Sequence, residues 1–501
     1  MSITANWDKA QQAVRKFTDG WGADQPGGAV IGFDAHGIRF AEAGGVESLS
    51  TMAPFGADTV VRYASVTKHA FCAMVLSHPE AISLDDKLGQ HLPELQEPIA
   101  SVTVARALDM SGGLPDTREC LSLLGLSVYT ETKAGPLMEF LARQTRLNYE
   151  AGTEVSYSNT GYRLVETALE RKGLFFRDFI RDAGTKAGAT LDAPDVWNDP
   201  VAGLVPGYWH DGEKWQLSAA GLHISASGSM TGSATSLANW LRLLLSGNAP
   251  FAGTLARLAA RRALKDGAES GYGLGICRTV LDGHEFTGHG GSHPGYKTYF
   301  LLDQANQTGF VIVSNREDTN GSKIAQAAMA ALFGLALPVP SSALKDGLYV
   351  TETGPFWIEV KGSSVNWLDA DTAAYEDEDG YVSSFSATSP MRLKMDGTAI
   401  VGQIGYPTRR FDPAVDTGVP ASLSSRWFSD EGATFDIDGE TLVMGVGPVR
   451  HRMPMTALGN GRFLFTLKDG PWTKRVCLHV LSENRLELVL SRARMIEYNR
   501  A

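Results

Sequence analysis

The sequence predicts an α+β chain of three domains, and three observations carry that reading. Strand-like runs stand at both ends of the stretch 28–314, with helix-forming segments between them. Helical periodicity nearly vanishes after Leu337-Pro338-Val339-Pro340, where short alternating runs separated by Gly, Asp, Asn and Pro take over. A second break at 416–424, D-T-G-V-P-A-S-L-S, cuts the strand-rich part in two. Each piece is about eighty residues, the size of a small antiparallel β-barrel. At 501 residues the chain exceeds one ordinary domain. Domains are expected at 1–337, 341–418 and 421–501.

The first domain opens with a polar helix over 7–21. Two strands follow in G-G-A-V-I-G-F-D-A-H-G-I-R-F-A-E-A-G, joined by a turn at 35–37. R-Y-A-S-V-T-K-H-A-F-C-A-M-V-L-S-H-P, at 62–79, then reads as an extended entry and a helix from Ser65 to Pro79. Val66, Ala70, Ala73 and Ser77 keep helical spacing, while Phe71, Met74 and Val75 make the other faces apolar, so burial on most sides is expected. A short helix at 103–110 leads into the loop S-G-G-L-P-D. Further helices are expected at 136–144, 162–172, 175–183 and 235–245, the last capped by Thr235 or Ser236. Strands at 296–302 and 308–314 complete the sheet, and an alanine-rich helix at 322–333 closes the domain. The two C-terminal pieces open alike, G-L-Y-V-T-E-T-G-P-F-W and S-R-W-F-S-D-E-G-A-T-F. Tyr349 matches Trp427, Glu352 matches Asp430 and Gly354 matches Gly432, which reads as an internal repeat.

Composition narrows the function. A formal charge of −11 argues against nucleic acid or an anionic membrane as partner. No run of 18 apolar residues is present to span a bilayer. M-S-I-T-A-N-W-D-K lacks the basic start and apolar core of a secretory leader, so a cytoplasmic protein is expected. Cys72, Cys120, Cys277 and Cys477 lie far apart without metal-like spacing, and Cys72 reads as a small core residue. No metal or organic cofactor is implied.

Three elements carry chemistry. Ser65 and Lys68 stand one turn apart on one helix face, a hydroxyl beside an amine that burial could turn into a base. At the helix start the Ser65 amide can face a developing oxyanion. Ser342-Ala343-Leu344-Lys345 repeats the S-x-x-K pattern, but in the linker and with no buried helix behind it. The second element, E-A-G-T-E-V-S-Y-S-N-T-G-Y, places Tyr157 and Asn159 just before a helix. A tyrosine beside an ammonium can be held as phenolate, or share its proton, and act as base and acid. Asn159 can donate to a substrate carbonyl and accept from Lys68. The third is T-G-H-G-G-S-H-P-G-Y-K-T-Y-F, glycines at a strand start that suit close approach by a ligand. There His289 is the candidate polar contact, Gly291 gives access and the Ser292 amide is a second oxyanion donor. His293-Pro294-Gly295 reads as the turn out of that strand.

S-V-T-K at 65–68, Y-S-N at 157–159 and H-G-G at 289–291, in this order, resemble the three motifs of the serine β-lactamase and penicillin-binding protein superfamily. L-D-M-S-G-G-L, Y-G-L-G-I and G-H-G-G-S fit the same resemblance, which covers about residues 10–335. It implies a serine β-lactamase-like catalytic domain, an antiparallel sheet flanked by helices. His289 stands where penicillin-interactive enzymes usually carry a lysine, and with two trailing barrels this is similar to the D-aminopeptidase and esterase branch. The implied function is a serine hydrolase that uses an acyl-enzyme on short peptides or amino-acid amides, D-stereospecific and favouring acidic substrates. A carboxylesterase, a D-alanyl-D-alanine carboxypeptidase or β-lactamase-like enzyme, and a non-catalytic peptide-binding homologue stay open. The expected partner is a peptide or amide substrate, with a homodimer left open. In the D-aminopeptidase architecture the last barrel lends a loop to the active-site rim; the candidate specificity loop here is M-G-V-G-P-V-R-H-R-M-P-M, with Arg450, His451 and Arg452 as a fork for a substrate carboxylate.

Overall fold

The computed structural model describes residues 5–501; residues 1–4, part of the stretch read above for a leader, lie outside the described residues. The first domain is built on one antiparallel sheet. Strands β1 (Gly28–Asp34) and β2 (Gly37–Gly44) are joined by the expected turn. Late strands β3 (Cys277–Leu281), β4 (His284–His293), β5 (Tyr296–Asp303) and β6 (Thr308–Ser314) complete it in the order β2-β1-β6-β5-β4-β3. Strand β1 pairs with β6 from Gly28–Ser314 to Asp34–Thr308, so the beginning and end of the domain meet at the centre of the sheet.

Alternation along these central strands sorts the core into two layers. Val30, Phe310 and Ile312 face a layer made by the helices Trp7–Thr18 and Gly321–Phe333, with Ala10, Val14, Ala328 and Met329. Ala29, Ile31, Val311 and Val313 face the other way, towards Phe71, Leu237 and Leu241 on the helices Thr67–Ser77 and Ala234–Ser246. The Ser65 helix is thus buried from Thr67 to Leu76, and Cys72 is fully enclosed. The cap of Ala234–Ser246 is Ser233, whose hydroxyl accepts from Ser236 N, not Thr235 or Ser236. The strand Thr231–Gly232 pairs with Val61–Arg62 immediately upstream, which leaves Ser233 as the last extended residue. Among the described residues no helix is long and apolar enough to cross a membrane.

The tail folds as two nearly closed nine-stranded antiparallel barrels, spanning Gly347–Pro413 and Ser425–Arg500 between their first and last strands. Counted along each piece, the strand order is 4-3-2-1-9-8-7-6-5 in both. The matched openings also use the same device: the Tyr349 hydroxyl donates to Lys345 O at 2.8 Å and the Trp427 indole to Leu423 O at 3.2 Å, each four residues back. Gly354 and Gly432 both take left-handed φ, 73° and 80°. The glycine-rich stretch of the third element lies inside β4 and not at its start.

Both barrels meet one buried carboxylate of the first domain. Glu154, three residues before Tyr157, is paired with Arg409 of the first barrel at 2.8 Å and Arg494 of the second at 2.7 Å. Removing one arginine from a buried pair typically costs about 3–5 kcal/mol, so this cluster ties both barrels to the first domain.

Candidate active site

Ser65 sits in a single 3-10 turn, Ala64–Val66, that feeds the buried helix. Ala64 holds a left-handed φ of 52°, a strained conformation for a residue with a side chain. Thr67 holds the turn from inside: its hydroxyl donates to Ala64 O at 2.6 Å and accepts from Met230 N at 2.9 Å. Lys68 is completely enclosed. Its Nζ lies 3.2 Å from Ser65 Oγ, 2.8 Å from Asn159 Oδ1 and 2.7 Å from Ser227 O. Desolvation pulls its pKa well below the ordinary lysine value, with Arg492 and Arg118 adding to it and Asp116 opposing. A neutral amine has two N–H groups and one lone pair. In that neutral form Asn159 Oδ1 and Ser227 O would take the two hydrogens and leave the lone pair for the Ser65 hydroxyl, whereas the charged form donates its third N–H to Ser65 Oγ.

Asn159 is held by a carboxylate that spacing gave no reason to select. Asp116 Oδ2 accepts from both its backbone N and its Nδ2, each at 2.8 Å, which fixes the amide with Oδ1 towards Lys68. Tyr157 stands over the same amine, with Lys68 Nζ 4.7 Å from its ring centre. Its hydroxyl is buried without a hydrogen-bond partner of full geometry. Burial pushes the phenol up, against smaller lowering effects of the Ser65 hydroxyl and Arg492. Of the two states open from the sequence, burial favours the protonated phenol that shares its proton with Lys68 over the phenolate.

Strand β4 closes the other side. From His289 to His293 it pairs only with β5, because β3 stops opposite Gly288. That free edge runs along the Ser65 turn: a Cβ at Gly291 would fall 2.0 Å from Tyr63 O and 3.3 Å from Ala64 Cβ. Gly291 is thus needed for the approach that brings Ser292 next to Ser65. His289 is enclosed, and burial together with Lys68 lowers its pKa to about 3. Nδ1 donates to Gly290 O at 2.6 Å, so Nε2 accepts from Tyr272 Oη at 2.9 Å. Both ring nitrogens are thus engaged, and burial favours the neutral ring.

Two cavities meet at Ser65. A wide polar cleft of about 770 Å³ is lined by Tyr157, His289, Gly291, Ser292, Lys474 and Arg492, among others. A small chamber of about 60 Å³ is mainly apolar, with Leu121, Leu137, Leu141, Trp197, Leu222 and Ile224, and also carries Arg163, His223 and His293. Arg450, His451 and Arg452 line neither. They lie on the exposed strand Val449–Pro454, where Arg450 pairs with Asp436 at 2.7 Å and Arg452 with Asp438 at 3.2 Å. Their reading as a carboxylate fork is corrected, since local carboxylates already occupy both guanidinium groups. The second barrel reaches the cleft elsewhere, through Trp472, Lys474 and Arg492. The Arg492 guanidinium lies 4.6 Å from the Tyr157 ring centre.

The model of the beta-lactamase family matches residues 11–334, more than half of the sequence. The chain belongs to the beta-lactamase family. A D-aminopeptidase of Gluconobacter oxydans is 24% identical to this family member over 327 residues, 63% of this chain and 59% of that protein. A D-aminopeptidase of Brucella anthropi is 25% identical over 280 residues, 54% of this chain and 52% of its own length. The chain therefore spans between half and two thirds of these two relatives. Among solved structures, the octameric penicillin-binding protein homologue from Pyrococcus abyssi superposes with a TM-score of 0.56 at 16% identity, covering 99% of this chain and 100% of that one. The D-amino acid amidase from Ochrobactrum anthropi SV3 gives 0.53 at 18% identity, covering 64% and 98%. At these identities the two structures show that this beta-lactamase-family chain shares their fold.

Proposed function

We propose that the protein is a serine hydrolase that cleaves amide bonds of short peptides or amino-acid amides with a D-configured N-terminal residue. The observation that carries the proposal is the wiring of Lys68, a buried amine with a lowered pKa whose Nζ lies within hydrogen-bond distance of Ser65 Oγ, Asn159 Oδ1 and Ser227 O. Ser65 Oγ attacks the substrate carbonyl carbon as its proton passes to Lys68. The amides of Ser65 and Ser292 hold the oxyanion. As the C–N bond breaks, Tyr157 gives its proton to the leaving nitrogen and recovers one from Lys68. Water then hydrolyses the ester, with Lys68 again taking the proton and Ser65 regaining its own. Tyr157 lines the wide cleft and not the apolar chamber, so the leaving group lies in the cleft and the acyl side chain faces the chamber. The D-preference rests on the relatives named D-aminopeptidase.

A panel of D- and L-amino acid nitroanilides and short-chain nitrophenyl esters tests this reading. D-amides should turn over well ahead of their L counterparts. Turnover of esters with every D-amide inert would replace the proposal with a carboxylesterase.

A further inference from the structure

We propose that Arg118 is the carboxylate anchor of this site and that Trp472, from the second barrel, positions it. The proposal rests on the hydrolase reading above and adds a substrate class to it. Four cations line the wide cleft: Arg118, Lys297, Lys474 and Arg492. Lys297 is 2.6 Å from Glu317, Lys474 is 3.6 Å from Asp369 and 4.0 Å from Glu119, and Arg492 is 3.8 Å from Glu119. Arg118 alone of the four has neither an ion pair nor a side-chain hydrogen bond among the described residues. A half-buried cation without a partner is costly, and the cost is recovered when an anion arrives.

Position strengthens the case. Ser65, Asn159 and Arg118 are the three residues shared by the cleft and the apolar chamber, so a substrate that bridges them passes this guanidinium. The Trp472 ring centre lies 4.2 Å from Arg118 Cζ, a cation–π contact that uses none of the guanidinium N–H donors a planar anion needs. Trp472 opens the strand Trp472–Ser482 directly after a turn that is clamped to the first domain. Asp469, on the other arm of that turn, accepts from Ser127 Oγ and Val128 N, both at 2.6 Å. The second barrel thereby holds the aromatic plate that orients Arg118. The chemistry is a carboxylate taken in a bidentate fork. It can come from an acidic side chain on the acyl residue or from the C-terminus of the leaving residue.

Matched substrates separate the two sources: D-aspartyl against D-asparaginyl nitroanilide for the first, D-alanyl-glycine against D-alanyl-glycinamide for the second. Each enzyme is read as its ratio of kcat/KM for acid over neutral substrate. The parent should favour the acid about ten- to hundredfold in one arm, the range of a charge-assisted hydrogen-bonded pair. The ratio should fall to near parity in Arg118→Met and be partly rescued in Arg118→Lys. Trp472→Leu should lower it through KM for the acid. Thermal unfolding of each variant checks that it is folded. A parent without preference in both arms, or a preference that survives in Arg118→Met, overturns the proposal. Labelling of the parent Ser65 by a neutral activated ester reads the hydrolase function separately: absence of label overturns that reading, and this one with it.

Discussion

Gly291→Ala probes the proposed oxyanion site, where strand β4 runs against the Ser65 turn. The added Cβ would lie 2.0 Å from Tyr63 O, a backbone atom, and 3.3 Å from Ala64 Cβ. Tyr63 has little freedom to retreat, because its N donates to Met230 O at 2.8 Å and its hydroxyl to Ser233 O at 2.5 Å. The free edge of β4 must therefore move by about 1 Å, and a misplacement of that size can cost about 100-fold in rate. Ser292 is carried along, and loss of one oxyanion donor costs about 10²–10³ in kcat. Steady-state kinetics on a D-amino acid nitroanilide should show that loss in kcat, with a smaller change in KM and a cooperative thermal transition retained. Gly290→Ala provides the comparison: its Cβ meets only the Tyr299 ring, at 3.1 Å, a side chain that can yield, so its loss should be smaller. A folded Gly291→Ala enzyme with parental kcat would refute the assignment of β4 as an oxyanion wall.

Three further outcomes follow from the same geometry. In the proposed mechanism neutral Lys68 is the active form, and Asp116 works against the desolvation that lowers its pKa. Asp116→Asn should therefore move the acid limb of kcat/KM to lower pH; a shift to higher pH contradicts Lys68 as the base. Arg450→Ala and Arg452→Ala should leave kinetics on acidic and neutral substrates unchanged, and loss of an acidic preference in either would restore the hairpin to the site. His69 is fully buried, accepts from the Trp240 indole at 2.9 Å and is held by desolvation to about 4. Its unfolded value is about 6.5, so the stability it contributes is complete above that pH and lost as pH falls towards 4. Urea unfolding at pH 5 should give about 2 kcal/mol less stability than at pH 7.5 from this residue; equal stability at both contradicts a neutral His69.

The sequence made the scaffold legible because its signals are periodic. Alternation in β1 and β6, the apolar Ser65 helix and the repeated barrel openings each depend on residues close in the chain. Ser65, Lys68 and Asn159 were legible through motif resemblance, and the structure brings them within 3.2 Å of one nitrogen. What stayed hidden depends on distant single residues. Asp116 is 43 positions from Asn159, Ser227 O is 159 from Lys68, and neither carries a spacing rule. Arg118 and Trp472 look ordinary until the second barrel docks. The Arg450–Arg452 cluster misled because charge density is visible in sequence, whereas Asp436 and Asp438, which neutralise it, come from another strand of the same sheet. The charge of His289 was open in the sequence because it depends on burial beside Lys68 and on Tyr272, 17 residues away.

The most direct measurement is intact-protein and peptide mass spectrometry after brief exposure to a fluorophosphonate or an activated ester, on the parent, Ser65→Ala and Lys68→Met. One adduct on the Ser65 peptide of the parent, absent from Ser65→Ala and strongly slowed in Lys68→Met, is the expected result. No adduct on the parent, or labelling at another residue that persists in Ser65→Ala, would contradict acyl transfer through Ser65 and leave a peptide-binding relative of the hydrolases.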